Sequence, residues 1–237
     1  MHYSVLRPGT ESRQEIEVQR SRFIAVLRRV ESEEDARSMI AGLRQQYRDA
    51  RHHCSAFVLG PDRQQRRSND DGEPAGTAGP PMLEALTGHT PTNGVADLSD
   101  VCAVVIRYFG GTLLGTGGLT RAYSSAVASA LDGASFLTRS RMRMAALIIP
   151  TADMGRYLHA FRRAGYPVLG ESYSESGSNV RVRLGIADDA GALAEAAELT
   201  ARLGLGAHPL ELGDPLWIDA PASPDEHQHG TQVRPGT

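Results

Sequence analysis

Residues 101–131 read VCAVVIRYFGGTLLGTGGLTRAYSSAVASAL, and this stretch constrains the fold more than any other. Val101 to Phe109 is a continuous apolar run broken only by Arg107 and Tyr108, the pattern of a strand buried on both faces. Five of the nine residues from Gly110 to Gly118 are glycine. Beyond them Leu119, Ala122, Tyr123, Ala126, Val127 and Ala130 recur at helical spacing, with Thr120, Arg121 and Ser124 outward. A buried strand, a glycine turn and an amphipathic helix require a sheet with a helix packed across it.

The flanking sequence extends that scheme. IEVQRSRFIAVLRRV predicts a strand or hairpin. ESEEDARSMIAGLRQQY predicts a helix capped by Ser32, with Ala36, Met39, Ile40 and Leu43 inward. SAFVLG is a strand. RQQRRSNDDGEPAGTAGPP lacks periodicity and predicts a long loop, a setting in which function concentrates; PPMLEALTG is a short helix opened by proline. Downstream, RMRMAALIIP, YPVLGESYS, NVRVRLGI and LGAHPLEL predict strands, and TADMGRYLHAFRRAG and DDAGALAEAAELTARLG capped helices. The order β-α-β-β-α-β is the ferredoxin-like one. The expected class is α+β, with one domain over 1–137, a second over 138–216, and a tail over 217–237 too poor in core-forming residues to order.

Composition excludes several functions. All 25 basic residues are arginine, so Schiff-base chemistry and a P-loop lysine are ruled out by absence of the residue. A net charge of −3 leaves nucleic-acid binding to local patches. Two cysteines, Cys54 and Cys102, make no disulfide framework and are expected as reduced buried thiols. No run approaches the roughly 18 apolar residues of a membrane helix. The opening MHYSVLRPGTESRQ has no signal-peptide core, so a cytoplasmic location without membrane association is expected.

The glycine segment leaves two readings open. A helix that begins after glycines offers backbone N–H groups to an anion without Cβ obstruction, which makes Gly110, Gly111, Gly115, Gly117 and Gly118, with Arg107, Tyr108 and Arg121, a candidate phosphate or carboxylate site. The other reading is a tight turn with close helix packing. The spacing fails both P-loop and G-x-G-x-x-G. Asp70, Asp71 and Glu73 lie close enough together to assist a Mg²⁺ ion, but pairing with Arg107 or Arg121 is preferred, and neither metal nor cofactor is expected. His52, His53 and Cys54 alternate faces in a strand and cannot share a metal. In the second half, Arg141, Arg143, Arg181 and Arg183 are expected together on the open face of the sheet, with Tyr173 opposite Arg181 and Glu171 opposite Arg183. Met142, Met144, Val182 and Leu184 would then face the helices. Such a surface suits RNA; pairing of those arginines with Glu171, or cover by the first domain, is the alternative.

With SRFIA, DARHHCSAFVLG, DDGEPAGTAGPPML and RYFGGTLLGTGGLTRAYSSA in place, the chain from about Ser21 to Leu131 resembles the IMPACT family in its bacterial, YigZ-type form. The resemblance implies an N-terminal domain like domain 2 of ribosomal protein S5 and a C-terminal domain like the last domain of elongation factor G. Both imply a partner that is RNA or a ribosome-associated protein, and a regulatory place in translation. Eukaryotic relatives act through an RWD domain that has no counterpart here, so their specific partner does not carry over. Leu113 stands where some members carry lysine, and Asn69 where many carry serine. No catalytic residue is implied, and a non-enzymatic role is favoured. The competing expectation is an enzyme acting on a phosphorylated or nucleotide ligand at the glycine turn.

Overall fold

The computed structural model describes residues 1–91, 94–205 and 210–219. The chain divides into two units, residues 3–137 and residues 1–2 with 138 onward. Both are mixed α/β with antiparallel sheets. No helix among the described residues is long and apolar enough to cross a membrane.

Strand β1 spans His2–Leu6, and a hairpin follows of β2 (Glu11–Val18) and β3 (Ser21–Arg29). Its register pairs Val18 with Ser21, leaving Gln19 and Arg20 as a two-residue turn with φ of 48° and 66°. Two left-handed residues give a turn whose twist matches the strands. Helix α1 (Glu33–Gln46) is capped by Ser32, whose side chain accepts from the Asp35 N–H. It buries Ala36, Met39 and Leu43, as their spacing requires. Next come β4 (His52–Leu59), β5 (Gln65–Asn69), α2 (Gly79–Gly88), β6 (Val101–Tyr108) and α3 (Gly115–Asp132). The five-stranded sheet has the order β2-β3-β6-β4-β5.

That sheet is buried on both faces, which is why β6 reads as an unbroken apolar run. Phe23, Ala25, Cys54, Ala56, Ala103 and Val105 pack with α2 and α3; Ile24, Val26, Phe57, Cys102, Val104 and Ile106 pack with α1 on the other side. One correction falls at β5, which lies inside the segment expected to be loop. All five of its residues are exposed at the sheet edge, so no alternation of apolar and polar residues marks it.

The second unit contains β7 (Phe136–Pro150), α4 (Met154–Arg163), β8 (Val168–Tyr173), β9 (Asn179–Ala187), α5 (Ala190–Arg202) and β10 (Glu211–Asp219). Its strands run β10-β7-β9-β8, all antiparallel. Asp189 caps α5 by accepting from the Ala192 N–H at 2.9 Å. Leu147, Ile149, Val180, Val182 and Leu184 pack with Tyr157, Leu158 and Phe161 of α4. Strand β10 runs to Asp219, so residues 217–219 belong to a strand and not to a tail. Residues 206–209 and 220–237 lie outside the described residues.

Register also corrects the expected basic face. Ala145, Leu147 and Ile149 stand opposite the buried Leu184, Val182 and Val180. Arg141 and Arg143 share the parity of Ala145 and so project on the helix side, while Arg181 and Arg183 stand opposite Ile148 and Ala146 on the other. The four arginines do not form one surface. Arg141 and Arg143 both pair with Asp188, at 3.0 and 2.9 Å, and Arg181 pairs with Glu211. Tyr173 stands opposite Val180 and Glu171 opposite Val182, one residue from the expected register. Met142 and Met144 accordingly share a face with Arg181 and Arg183, not with Val182 and Leu184. The alternation of RMRM is symmetric between faces, and only the apolar run that follows fixes which face is inward.

Candidate functional site

The starts of β3 and β4 and the end of β6 meet on the α2/α3 side of the first sheet. Arg107 stands opposite Phe23 on one neighbour and His52 on the other. Its guanidinium lies over the Phe23 ring at 5.4 Å and the Phe109 ring at 5.7 Å. Its partner is Glu73: Arg107 Nη1 donates to Glu73 Oε1 at 2.6 Å, with side chains only 7% and 3% exposed. Tyr123 Oη donates to the same Oε1 at 2.6 Å. The Tyr123 ring packs edge-on against Phe23, centroids 5.2 Å apart. An ion pair this dry survives only with such added hydrogen bonds.

Cys54 completes the cluster. Its thiol donates to the Asp70 carbonyl at 3.0 Å and lies 3.4 Å from Tyr123 Oη. Burial pushes the Cys54 thiol up to about 12. Burial also raises the Tyr123 phenol far above its ordinary value, and the neighbouring Cys54 and Glu73 reinforce the shift. Both groups are neutral at physiological pH, so Cys54 is no thiolate nucleophile.

The other two carboxylates have separate tasks. Asp70 Oδ1 accepts from the N–H groups of Ala78 and Gly79 at 3.0 and 2.8 Å, and Oδ2 from Gly76 at 2.8 Å. It therefore caps α2, whose own N-cap, Ala78, has no side chain able to do so. Burial opposes ionisation of Asp70, but the three backbone donors outweigh it and hold the carboxyl below the usual carboxylate range. A group so depressed adds stability above its unfolded value, about 3.9, and loses it as pH falls through the folded one. Asp70→Ala is expected to cost about 1–2 kcal/mol near neutral pH. The difference from wild type should shrink below about pH 4, which urea midpoints at the two pH values would measure. Asp71, at φ 45°, turns towards α1. It accepts from the His53 N–H at 2.7 Å and pairs with Arg44 at 2.7 Å.

Of the sequence candidates, Arg107 and Glu73 are brought together. Asp70 and Asp71 are spent on backbone and Arg44, so neither holds Arg121. Tyr108 projects to the opposite face, where its hydroxyl donates to Asp49 at 2.9 Å. Among the described residues no group of three His, Cys, Asp or Glu is placed to hold a metal. The glycines divide. Gly110 is a close-approach residue, since a Cβ there would lie 2.0 Å from the Arg20 carbonyl carbon. Gly111 and Gly115 have φ of 83° and 69°, where glycine is favoured. Gly117 faces open space apart from an Arg121 Nη at 3.8 Å, and at Gly118 a Cβ would meet Leu114 Cβ at 3.0 Å. Helix α3 has no side-chain cap and no acid in its first turn. Arg121 is exposed and has no ion-pair partner among the described residues.

Beside this helix end lies a cavity of about 440 Å³, lined by Glu73, Arg107, Arg51 and His52 and by Pro74, Leu114 and Leu119 among others. Phe109 and Leu113 border it while 50% and 86% exposed. Sequence reasoning missed these two. The available signal was a pair of large apolar residues inside a glycine turn, where nothing obliges them to be buried.

Residues 19–131 match the Impact N-terminal domain. Over 162 residues the chain is 40% identical to the IMPACT family member YvyE of Bacillus subtilis, covering 68% of this chain and 71% of that one. The chain belongs to the IMPACT family. It is also 49% identical over 117 residues to the IMPACT family member YigZ of Escherichia coli, which spans 48% of this chain and 54% of YigZ. A crystal structure described as a hypothetical protein is 32% identical, with a TM-score of 0.55, covering 88% of this chain and 96% of that one. The segment matched to the IMPACT domain contains the Arg107–Glu73–Tyr123 cluster, the α2 cap and the whole cavity lining.

Proposed function

We propose that this protein binds single-stranded RNA through the face formed by the α3 N-terminus, Arg51, Arg121, Phe109 and Leu113, and acts without catalysis in translation. The observation that carries this reading is the pairing of exposed apolar residues with uncommitted arginines at an uncapped helix start. Such helix ends favour phosphate, and aromatic side chains beside cationic ones are what unpaired bases and their backbone bind. A place in translation rests on the family resemblance. We read the two units as an S5 domain 2-like fold followed by a ferredoxin-like one; the β10-β7-β9-β8 order with its two helices supports the second assignment.

Fluorescence anisotropy with a labelled single-stranded RNA at several salt concentrations tests the reading. Arg121→Ala should weaken binding and make the slope of log K against log salt shallower by about 0.7, the value for one phosphate contact on a single strand. Unchanged affinity and slope would remove Arg121 from the site. Ribosome co-sedimentation without intrinsic RNA affinity would point instead to a ribosome-associated protein as partner. Saturable stabilisation by one nucleotide, with no response to RNA, would favour an enzyme.

A further inference from the structure

Two polar groups lining the cavity beside α3 are left unfinished by the fold itself. Glu73 Oε1 accepts from both Arg107 and Tyr123, while Oε2 has no hydrogen-bond partner among the described residues. Arg107 commits Nη1 to Glu73, and its Nε is buried with no partner. A free acceptor and an unsatisfied buried donor on adjoining side chains call for a complementary group. Pro74, Phe109, Leu113, Leu114 and Leu119 form an apolar part of the wall, and Arg51, His52 and Thr116 also line the cavity. The volume, about 440 Å³, falls within the range of about 300–1,000 Å³ typical of small-molecule pockets.

We propose that this cavity receives one unstacked RNA base, and that Glu73 and Arg107 together read a base edge bearing an amino group beside an acceptor. The inference rests on the RNA reading above. Carboxylates accept from exocyclic amino groups and guanidiniums donate to ring nitrogens and carbonyls. Cytosine, adenine and guanine present that amino–acceptor pair; uracil set in the cytosine pose turns its O4 carbonyl to Glu73 Oε2 and its N3–H to Arg107, so both contacts become repulsive. The apolar wall contacts the base faces, as in other single-strand readers. Gly115 and Thr116 of the first turn of α3 line the same cavity, so a base seated here carries its phosphate to the open helix end.

Binding of labelled oligo(C) and oligo(U), each about ten nucleotides long, to the full chain at one salt concentration is the direct test. These pyrimidines are alike in size, so stacking alone separates them little. Oligo(C) is expected to bind about tenfold more tightly, in line with single-base discrimination by paired polar contacts. Glu73→Gln turns the free acceptor into a donor and should abolish or invert that ratio, with the salt slope unchanged and the fold checked by circular dichroism. Equal affinity for the two oligomers overturns the base-edge assignment while leaving RNA binding intact, as does a folded Glu73→Gln protein that keeps the ratio. Failure to bind any RNA overturns this inference and the proposed function together. If Glu73→Gln does not fold, the wild-type ratio decides alone.

Discussion

Replacing Glu73 with alanine is expected to destabilise the protein by about 3–5 kcal/mol, the usual cost of removing one member of a buried ion pair. A guanidinium with a 7% exposed side chain would be left without a counter-ion. Tyr123 would lose its 2.6 Å acceptor as well. At about 2–4 °C per kcal/mol for chains of this size, the thermal midpoint should fall by roughly 10 °C. Glu73→Leu combined with Arg107→Met removes both charges at similar volume and should recover most of the loss. A Glu73→Ala midpoint within about 1 kcal/mol of wild type would mean that the pair is hydrated in solution.

Gly110→Ala should cost about 3 kcal/mol, at the upper end for overpacking. The added Cβ would lie 2.0 and 2.2 Å from the Arg20 carbonyl carbon and oxygen and 2.3 Å from the Ser21 nitrogen. Those atoms are backbone of a two-residue turn whose central residues already hold positive φ, so nothing there yields cheaply. The Gly110 N–H also donates to Ser21 Oγ at 3.1 Å, tying the glycine turn to the β2–β3 hairpin. Gly117→Ala should act oppositely and gain about 0.5–1 kcal/mol, because glycine inside a helix forfeits backbone entropy. Urea midpoints of the two variants measure both effects. A wild-type midpoint for Gly110→Ala would contradict the close approach.

These two glycines show how far a sequence of this kind can be read. GGTLLGTGG announces a turn that enters a helix, and the structure has one. Sequence spacing alone does not separate a glycine required by a neighbour 89 positions away from one that merely precedes a helix. The DDGE segment behaves likewise. Its carboxylates were legible as charge in a loop, and one pairing weighed for them, with Arg107, is made by Glu73. Which carboxylate met which cation was not legible, because Asp70, Asp71 and Glu73 diverge to α2, α1 and β6 within four residues.

By itself, the sequence determined family membership, a mixed class of helices and strands, and the inward faces of α1 and α3, since each follows from local period, capping or motif. Tertiary structure decided the rest. It set β5 as an exposed edge without a period and split Arg141 and Arg143 from Arg181 and Arg183 by register. It also closed a cavity from residues of the β4 start, the DDGE loop, the β6 end and α3. The physical reason is common to all three. Register, loop direction and cavity shape arise from pairing and packing between distant segments, and no local pattern encodes which segments those are.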